Sequence, residues 1–379
     1  MPKRVLSDVA YTVIATEART RGSATHAGEA RQKRGEGLDP LVDPSGGSLY
    51  GPIRRSLSRF ELQEDCFILP NGTPMLKETR LDTTGSMGDN VEIAMRVLPT
   101  GYKLLAIGSD AVLGRYDLQM ITSIFGDVQD YYVLCRSQAE MDVEIARQMT
   151  LMLPEHGGFD EPEDPQYGLF GGAFLTSADI NKYGLKYYDI TVSDAPGRDL
   201  LTTETLVRVF GDSVFEKVTE NGYQINSRNL PSTKEVVESL SYRAHAFFLQ
   251  VGVHAETTRF WKRIYGDRLV TLPDTELLPY MEAAIIGLTE GLFDLQSTEE
   301  YLRRSNVSQV NARAISRALV RIPVGAQAVL PNFNKIPLAG AKFAKKGDLW
   351  PIGHANASVE TVEPDEDDDT PPEDKDMWL

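Results

Sequence analysis

The chain has 379 residues, 41% of them hydrophobic and 25% charged, with a net charge of −16. That length suits one large α/β domain with extensions, or two domains. No apolar stretch reaches the length of a membrane helix, and the best early run, Val9 to Ala15, is broken by Tyr11 and Thr12, which argues against a signal peptide.

Two cysteines, Cys66 and Cys135, stand in no metal or redox spacing, and five scattered histidines give no zinc pattern. This usage suits a reducing compartment, so a cytoplasmic protein is expected. The charge is partitioned sharply. Residues 1–60 carry +4, residues 61–300 carry −19, residues 301–346 carry +9 with no acid at all, and residues 347–379 carry −10. Such asymmetry points to distinct partners or to self-docking of opposite segments.

Residues 1–60 are polar, basic and rich in Gly and Pro, and read as an extended basic arm that wraps the domain or stays mobile. Residues 61–296 read as the main domain. Leu76 to Leu81 alternates with charged residues and predicts a strand, followed by a helix from about Asn90 to Ser109. Asp117 to Gly126 and Tyr131 to Cys135 predict two more strands. Apolar spacing predicts helices over Glu140 to Leu153 and Tyr167 to Asn181, the second with Gly171, Gly172 and Ala173 placed for close packing. Tyr187 to Val192 is a buried strand, and Thr203 to Phe210 and Lys234 to Tyr242 are short helices. Ala244 to Gly252 is a strand, Thr257 to Tyr265 a helix, Arg268 to Leu272 an edge strand, and Glu276 to Leu292 an amphipathic helix. This alternation implies an α/β fold with a doubly wound, mostly parallel sheet. Residues 297–350 form a basic, partly helical extension, with Ser297 as N-cap and Glu300 completing a capping box. Residues 351–379 form an acidic tail with the composition of disorder.

One short stretch carries chemistry. Asp82-Thr83-Thr84-Gly85-Ser86-Met87 sets a carboxylate and two hydroxyls two residues apart on a turn between strand and helix. Such oxygen ligands suit Mg²⁺ or Mn²⁺ rather than zinc or copper. Taken alone, Asp82, Ser86 or Asp89 could equally cap the following helix.

Asp82-x-Thr84-x-Ser86 resembles the D-x-[ST]-x-S core of the metal-ion-dependent adhesion site (MIDAS) of von Willebrand factor A (VWA) domains. Gly157-Gly158-Phe159-Asp160-Glu161-Pro162-Glu163-Asp164 is similar to the G-G-x-D-x-P-E loop of many bacterial VWA domains. Ile190-Thr191-Val192-Ser193-Asp194-Ala195-Pro196 is similar to the segment carrying the third metal loop. The three occur in the family's order, and the nearest flavour is the intracellular bacterial and phage kind. The resemblance implies a Rossmann-like VWA fold and a metal set of Asp82, Thr84, Ser86, Asp160 and Asp194. Asp160 stands where many relatives have Thr, and Thr176 is a less favoured substitute. It further implies a protein-binding adaptor whose bound Mg²⁺ (or Mn²⁺) captures a partner's Glu or Asp carboxylate, with a MoxR-type AAA+ ATPase as one such partner.

Two other readings stand beside it. A metal-dependent hydrolase of the D-x-D-x-[TV] kind needs a carboxylate where Thr84 stands, and no P-loop, G-x-S-x-G or H-E-x-x-H occurs, so no enzyme is expected. The basic 301–346 segment could bind nucleic acid through phosphate contacts. Docking of its charges on the acidic domain or the acidic tail is the plainer reading.

Overall fold

The computed structural model describes residues 20–21, 23–158 and 162–350. Asp160 and the acidic tail from residue 351 lie outside the described residues, as does most of the first third of the arm.

Eleven strands are described: β1 Arg54–Ser56, β2 Glu61–Gln63, β3 Cys66–Leu69, β4 Pro74–Asp82, β5 Asp117–Phe125, β6 Leu134–Arg136, β7 Thr176–Ala178, β8 Tyr187–Ser193, β9 Ala244–Val251, β10 Leu269–Leu272 and β11 Ala341–Phe343. Six of them form the central sheet in the order β10-β9-β8-β4-β5-β6, every neighbouring pair parallel except β5 with β6. Helices Asn90–Ala106 and Leu278–Glu290 pack together, with Glu282 reaching Lys77 of β4. Helices Pro165–Phe174, Thr233–Arg243 and Ala255–Tyr265 cover the opposite face, where Gly168 meets Arg80. The expected doubly wound, mostly parallel α/β architecture is the one observed. The chain runs from β4 outward to β5 on one side and returns to β8 on the other, so a topological switch point lies between β4 and β8.

β4 is the centre of this frame and is buried along its whole length. Its alternating charges, which would mark a half-exposed strand, all point into the protein. On one face Lys77 donates to Glu282 Oε2 at 2.6 Å, and Thr79 donates to Glu282 Oε1 at 2.6 Å. On the other, Arg80 pairs with Asp189 of β8 at 2.9 Å, and Glu78 receives Arg136 of β6 at 2.7 Å. Burial of such ions is tolerated only because each is paired and hydrogen-bonded. The Pro165–Phe174 helix can lie on this network because it carries glycines. A Cβ at Gly168 would stand 2.4 Å from Arg80 Cδ, and one at Gly172 would stand 2.9 Å from Asp189 Oδ2.

Several expected elements are corrected. The helix expected over Tyr167 to Asn181 ends at Phe174, because β-branched Thr176 opens β7, which pairs in parallel with β1. Arg54, on that pairing strand, is buried and donates to the carbonyls of Gly51, Asp43, Arg136 and Ser137. The helix expected to be amphipathic, Leu278–Glu290, is buried on nearly every residue, its Glu282 and Glu290 included. Helix Leu295–Arg304 is capped by Asp294 with Ser297 rather than by Ser297 with Glu300. The strand near Tyr131 to Cys135 is the shorter antiparallel β6, the helix near Glu140 is Val143–Met149, and a helix at Val214–Glu220 had no expected counterpart. From the extension, β11 pairs with β3, and Gln327 bonds Lys186 and His245. Among the described residues no helix is long and apolar enough to cross a membrane.

Candidate functional site

The carboxyl ends of β4 and β8 meet at the switch point, with Leu81 opposite Val192 in register. Asp82 ends β4 and is fully buried; the chain then turns through Thr83 and Thr84 into a 3₁₀ turn at Gly85–Met87. Thr84 donates to Asp82 Oδ1 from its backbone N–H at 2.9 Å and from its hydroxyl at 2.7 Å. Thr84 Oγ1 lies 3.2 Å from Ser86 Oγ, and Ser86 Oγ donates to Asp194 Oδ1 at 2.9 Å. Ser193 Oγ donates to Asp82 Oδ2 at 2.5 Å. Four of the five expected site residues, Asp82, Thr84, Ser86 and Asp194, are therefore joined in one run of oxygen atoms. Its inner end is buried, and its outer end opens to solvent at Ser86. Asp160 falls in the undescribed stretch 159–161. Thr176 is elsewhere: its hydroxyl accepts from Arg136 at 2.6 Å and donates to the Gly171 carbonyl.

A residue that motif reading passed over sits against this run. Glu163 is 2% exposed, and its Oε2 has no hydrogen-bond partner. Its backbone is stitched to the chain just beyond Asp194, through its N–H to the Pro196 carbonyl at 2.9 Å and its carbonyl to the Arg198 N–H at 3.1 Å. A Cβ added at Gly158 would lie 2.9 Å from Glu163 Oε1 and 3.0 Å from Thr84 Cβ, so the carboxylate and the threonine flank the same glycine. Gly158 also adopts φ +82°, which favours glycine. The preceding Gly157 carbonyl accepts from the Gly85 N–H at 2.7 Å, tying the acidic loop to the first turn. The acidic loop alone does not single out Glu163; the available signal is its position just before Asp164-Pro165, where a helix start fixes the backbone.

The electrostatics are unusual for this protein. Burial pushes the Asp82 carboxyl up to about 6, with Asp194 adding to the rise and Ser193 and Thr84 opposing it. Burial, reinforced by the charges of Asp82 and Asp127, pushes Glu163 up to about 8. The other buried carboxylates of the sheet and its loops have cations: Glu78 has Arg136 and Arg80, Asp189 has Arg80, Glu282 has Lys77, and Asp127 and Asp164 share Arg198. Asp117 and Asp179 likewise have Arg59 and Lys182. Glu290 instead accepts from two tyrosine hydroxyls. Among the described residues, Asp82 and Glu163 have no basic partner. No group of three or more His, Cys, Asp or Glu there is arranged to hold a metal by those side chains alone. A cation at this position would thus depend on the hydroxyls of Thr84 and Ser86.

No family model matches the chain, and no curated protein does. Among solved structures it is similar to proximal thread matrix protein 1 from the mussel byssus, at 11% identity and a TM-score of 0.35, covering 57% of this chain and 48% of that one. It is similar to the pilus adhesin SpaC from Lactobacillus rhamnosus GG, at 13% and 0.36, covering 61% and 34%. It is also similar to a von Willebrand factor type A protein from Catenulispora acidiphila, at 12% and 0.32, covering 59% and 44%. The chain spans less than half the length of each.

Proposed function

We propose that Asp82, Thr84, Ser86, Asp194 and Glu163 hold a divalent cation, Mg²⁺ or Mn²⁺, and that the chain uses it to bind a carboxylate of a partner protein. The observation that supports this is that, among the described residues, Asp82 and Glu163 have no basic partner, whereas the other buried carboxylates have an Arg, a Lys or two tyrosines. Two buried acids facing hydroxyl oxygens fit a hard cation. Such an ion supplies a local positive charge to which a carboxylate can bind in an otherwise acidic domain. Ser86 is exposed, whereas Asp82, Thr84 and Glu163 are buried. The motif resemblance to VWA domains supports the same reading and adds a MoxR-type AAA+ ATPase as a partner to try. Thr84, which is no general acid near neutral pH, favours binding over hydrolysis. Two free cysteines, one buried and one half-buried, suit a reducing cellular compartment.

The test is thermal unfolding with Mg²⁺ and with EDTA, alongside Mn²⁺ binding followed by electron paramagnetic resonance. A cation at about 100 times its Kd adds about 2.7 kcal/mol of stability, and Asp82→Ala should abolish both signals. Equal melting temperatures with and without Mg²⁺, together with no Mn²⁺ binding by the unaltered chain, would remove the proposal.

A further inference from the structure

The helix Gln309–Ala318 buries Ala312, Ile315 and Ser316 and turns its other side outward. That side carries Val310 (77% exposed), Arg313 and Arg317, at helical three- and four-residue steps. Val320 (63%), Arg321 (68%) and Val324 (52%) follow in the succeeding turns. The result is an exposed strip of three valines and three arginines, in a stretch, residues 301–346, that contains no acid. The acidic domain does not neutralise it. Arg313 reaches Glu299 at 3.8 Å and Arg321 reaches Asp267 at 3.6 Å, both across exposed side chains, where such pairs contribute little. Arg317 makes no ion pair among the described residues.

We infer that this valine–arginine strip is the docking face for the chain's own acidic segment, residues 360–379. Charge complementarity selects that occupant: Glu360 to Asp376 carries ten Asp and Glu against Lys375. The same segment carries Met377, Trp378 and Leu379, apolar groups that match the exposed valines as the acids match the arginines. Reach is no obstacle. The described chain stops at Trp350, held beneath Lys182 and beside Tyr183. The tether of residues 351–359 can span up to about 30 Å at roughly 3.3 Å each, against a radius of gyration of about 20 Å for a domain of this size. Tethering also gives the segment an effective concentration near the millimolar range, which an outside polyanion must exceed. The strip holds valines rather than the aromatic platforms that single-stranded nucleic acid uses. Docking here is independent of the cation proposed at Asp82.

The experiment reads the arginines directly in the full-length protein. A dicarbonyl reagent modifies exposed guanidinium groups, and peptide mass spectrometry gives the rates at Arg313 and Arg317, with exposed Arg147 as internal reference. Ionic strength is set at about 0.01 M, where the Debye length is about 30 Å, and at about 1 M, where it is about 3 Å. Docking predicts slow modification at low salt and a several-fold rise at high salt. It also predicts fast modification at both salts once Asp365, Asp367, Asp368 and Asp369 are changed together to Asn. Equal low-salt rates in the unaltered and Asn-substituted chains would overturn the inference. So would protection that grows with protein concentration, which would mean docking between copies. Protection abolished by EDTA would assign the segment to the cation instead, and equal binding of a fluorescent oligonucleotide by both chains would show an open face whose occupant is nucleic acid; either result overturns it.

Discussion

Glu290 offers a sharp test of the packing at the edge of the sheet remote from the candidate site. It lies 2% exposed at the end of the Leu278–Glu290 helix, where Tyr116 donates to Oε2 at 2.9 Å and Tyr188 donates to Oε1 at 2.6 Å. Burial raises its pKa from 4.5 to about 7, although both hydroxyls and the nearby Arg115 oppose the rise. The folded state therefore holds a proton that the unfolded state releases. Stability from this group is fully present below about pH 4.5 and is lost as pH rises through about 7. A difference of about 2.5 units at 1.36 kcal/mol per unit makes the loss about 3 kcal/mol. Glu290→Gln keeps the shape and removes the ionisation. Urea unfolding of both proteins from about pH 5 to about pH 8 gives their stability difference, in which the titrations common to both cancel. That difference should move toward the variant by about 3 kcal/mol across the window. A difference independent of pH would refute the reasoning, because it would mean that Glu290 ionises alike in the folded and unfolded chain.

His245 should contribute on the acid side. Burial drops its pKa to about 4, so stability present above about pH 6.5 is lost as pH falls toward 4, by about 3 kcal/mol, and His245→Gln should flatten that limb of the same urea profile. Gly168→Ala should cost about 1–3 kcal/mol in thermal unfolding, because its Cβ would press on Arg80 inside the buried network; an unchanged Tm would mean that Arg80 is free to move. Arg136→Met should cost about 3–5 kcal/mol by leaving Glu78 with Arg80 at 3.2 Å as its one remaining cation, beside the Ser123 hydroxyl, and an effect below about 1 kcal/mol by calorimetry would contradict it. In the proposed cation site, Glu163→Gln should weaken the Mg²⁺-dependent rise in melting temperature, whereas Thr176→Val should leave that rise intact.

The sheet was legible because its strands are short apolar runs bounded by turns. Tyr187–Ser193, Ala244–Val251 and Leu269–Leu272 all lie within a residue of where hydrophobicity places them. Hydrophobicity fails where the interior is charged. Lys77, Glu78 and Arg80 give β4 the pattern of a half-exposed strand, and Glu282 and Glu290 give a buried helix the pattern of an amphipathic one. Local periodicity cannot distinguish a charge facing water from one facing a counter-ion far away in sequence. Lys77 and Glu282 are 205 residues apart, and Glu78 and Arg136 are 58 apart. The end of the helix at Phe174 was hidden for a similar reason, since what claims Thr176–Ala178 is a strand from residues 54–56.

The same distinction governs the candidate site. Motif spacing brought forward Asp82, Thr84, Ser86 and Asp194, because the resemblance fixes residues at set distances along a turn. In the 157–164 loop it singled out Asp160 and passed over Glu163 and Asp164. Folding separates Glu163 and Asp164. Asp164 accepts from the Val128 N–H and pairs with Arg198 at 3.2 Å, which makes it part of the scaffold. Glu163, one residue earlier and itself bridged through its backbone to Gly197, keeps an oxygen without a partner beside Thr84. Arg198 pairs with both Asp127 and Asp164. A protein can bury an uncompensated acid only by keeping it protonated or by supplying a cation. Burial draws Asp82 up to about 6 and Glu163 further, to about 8. Glu163 can therefore be buried in its protonated form, and the proposed cation would let both carboxylates be ionised together.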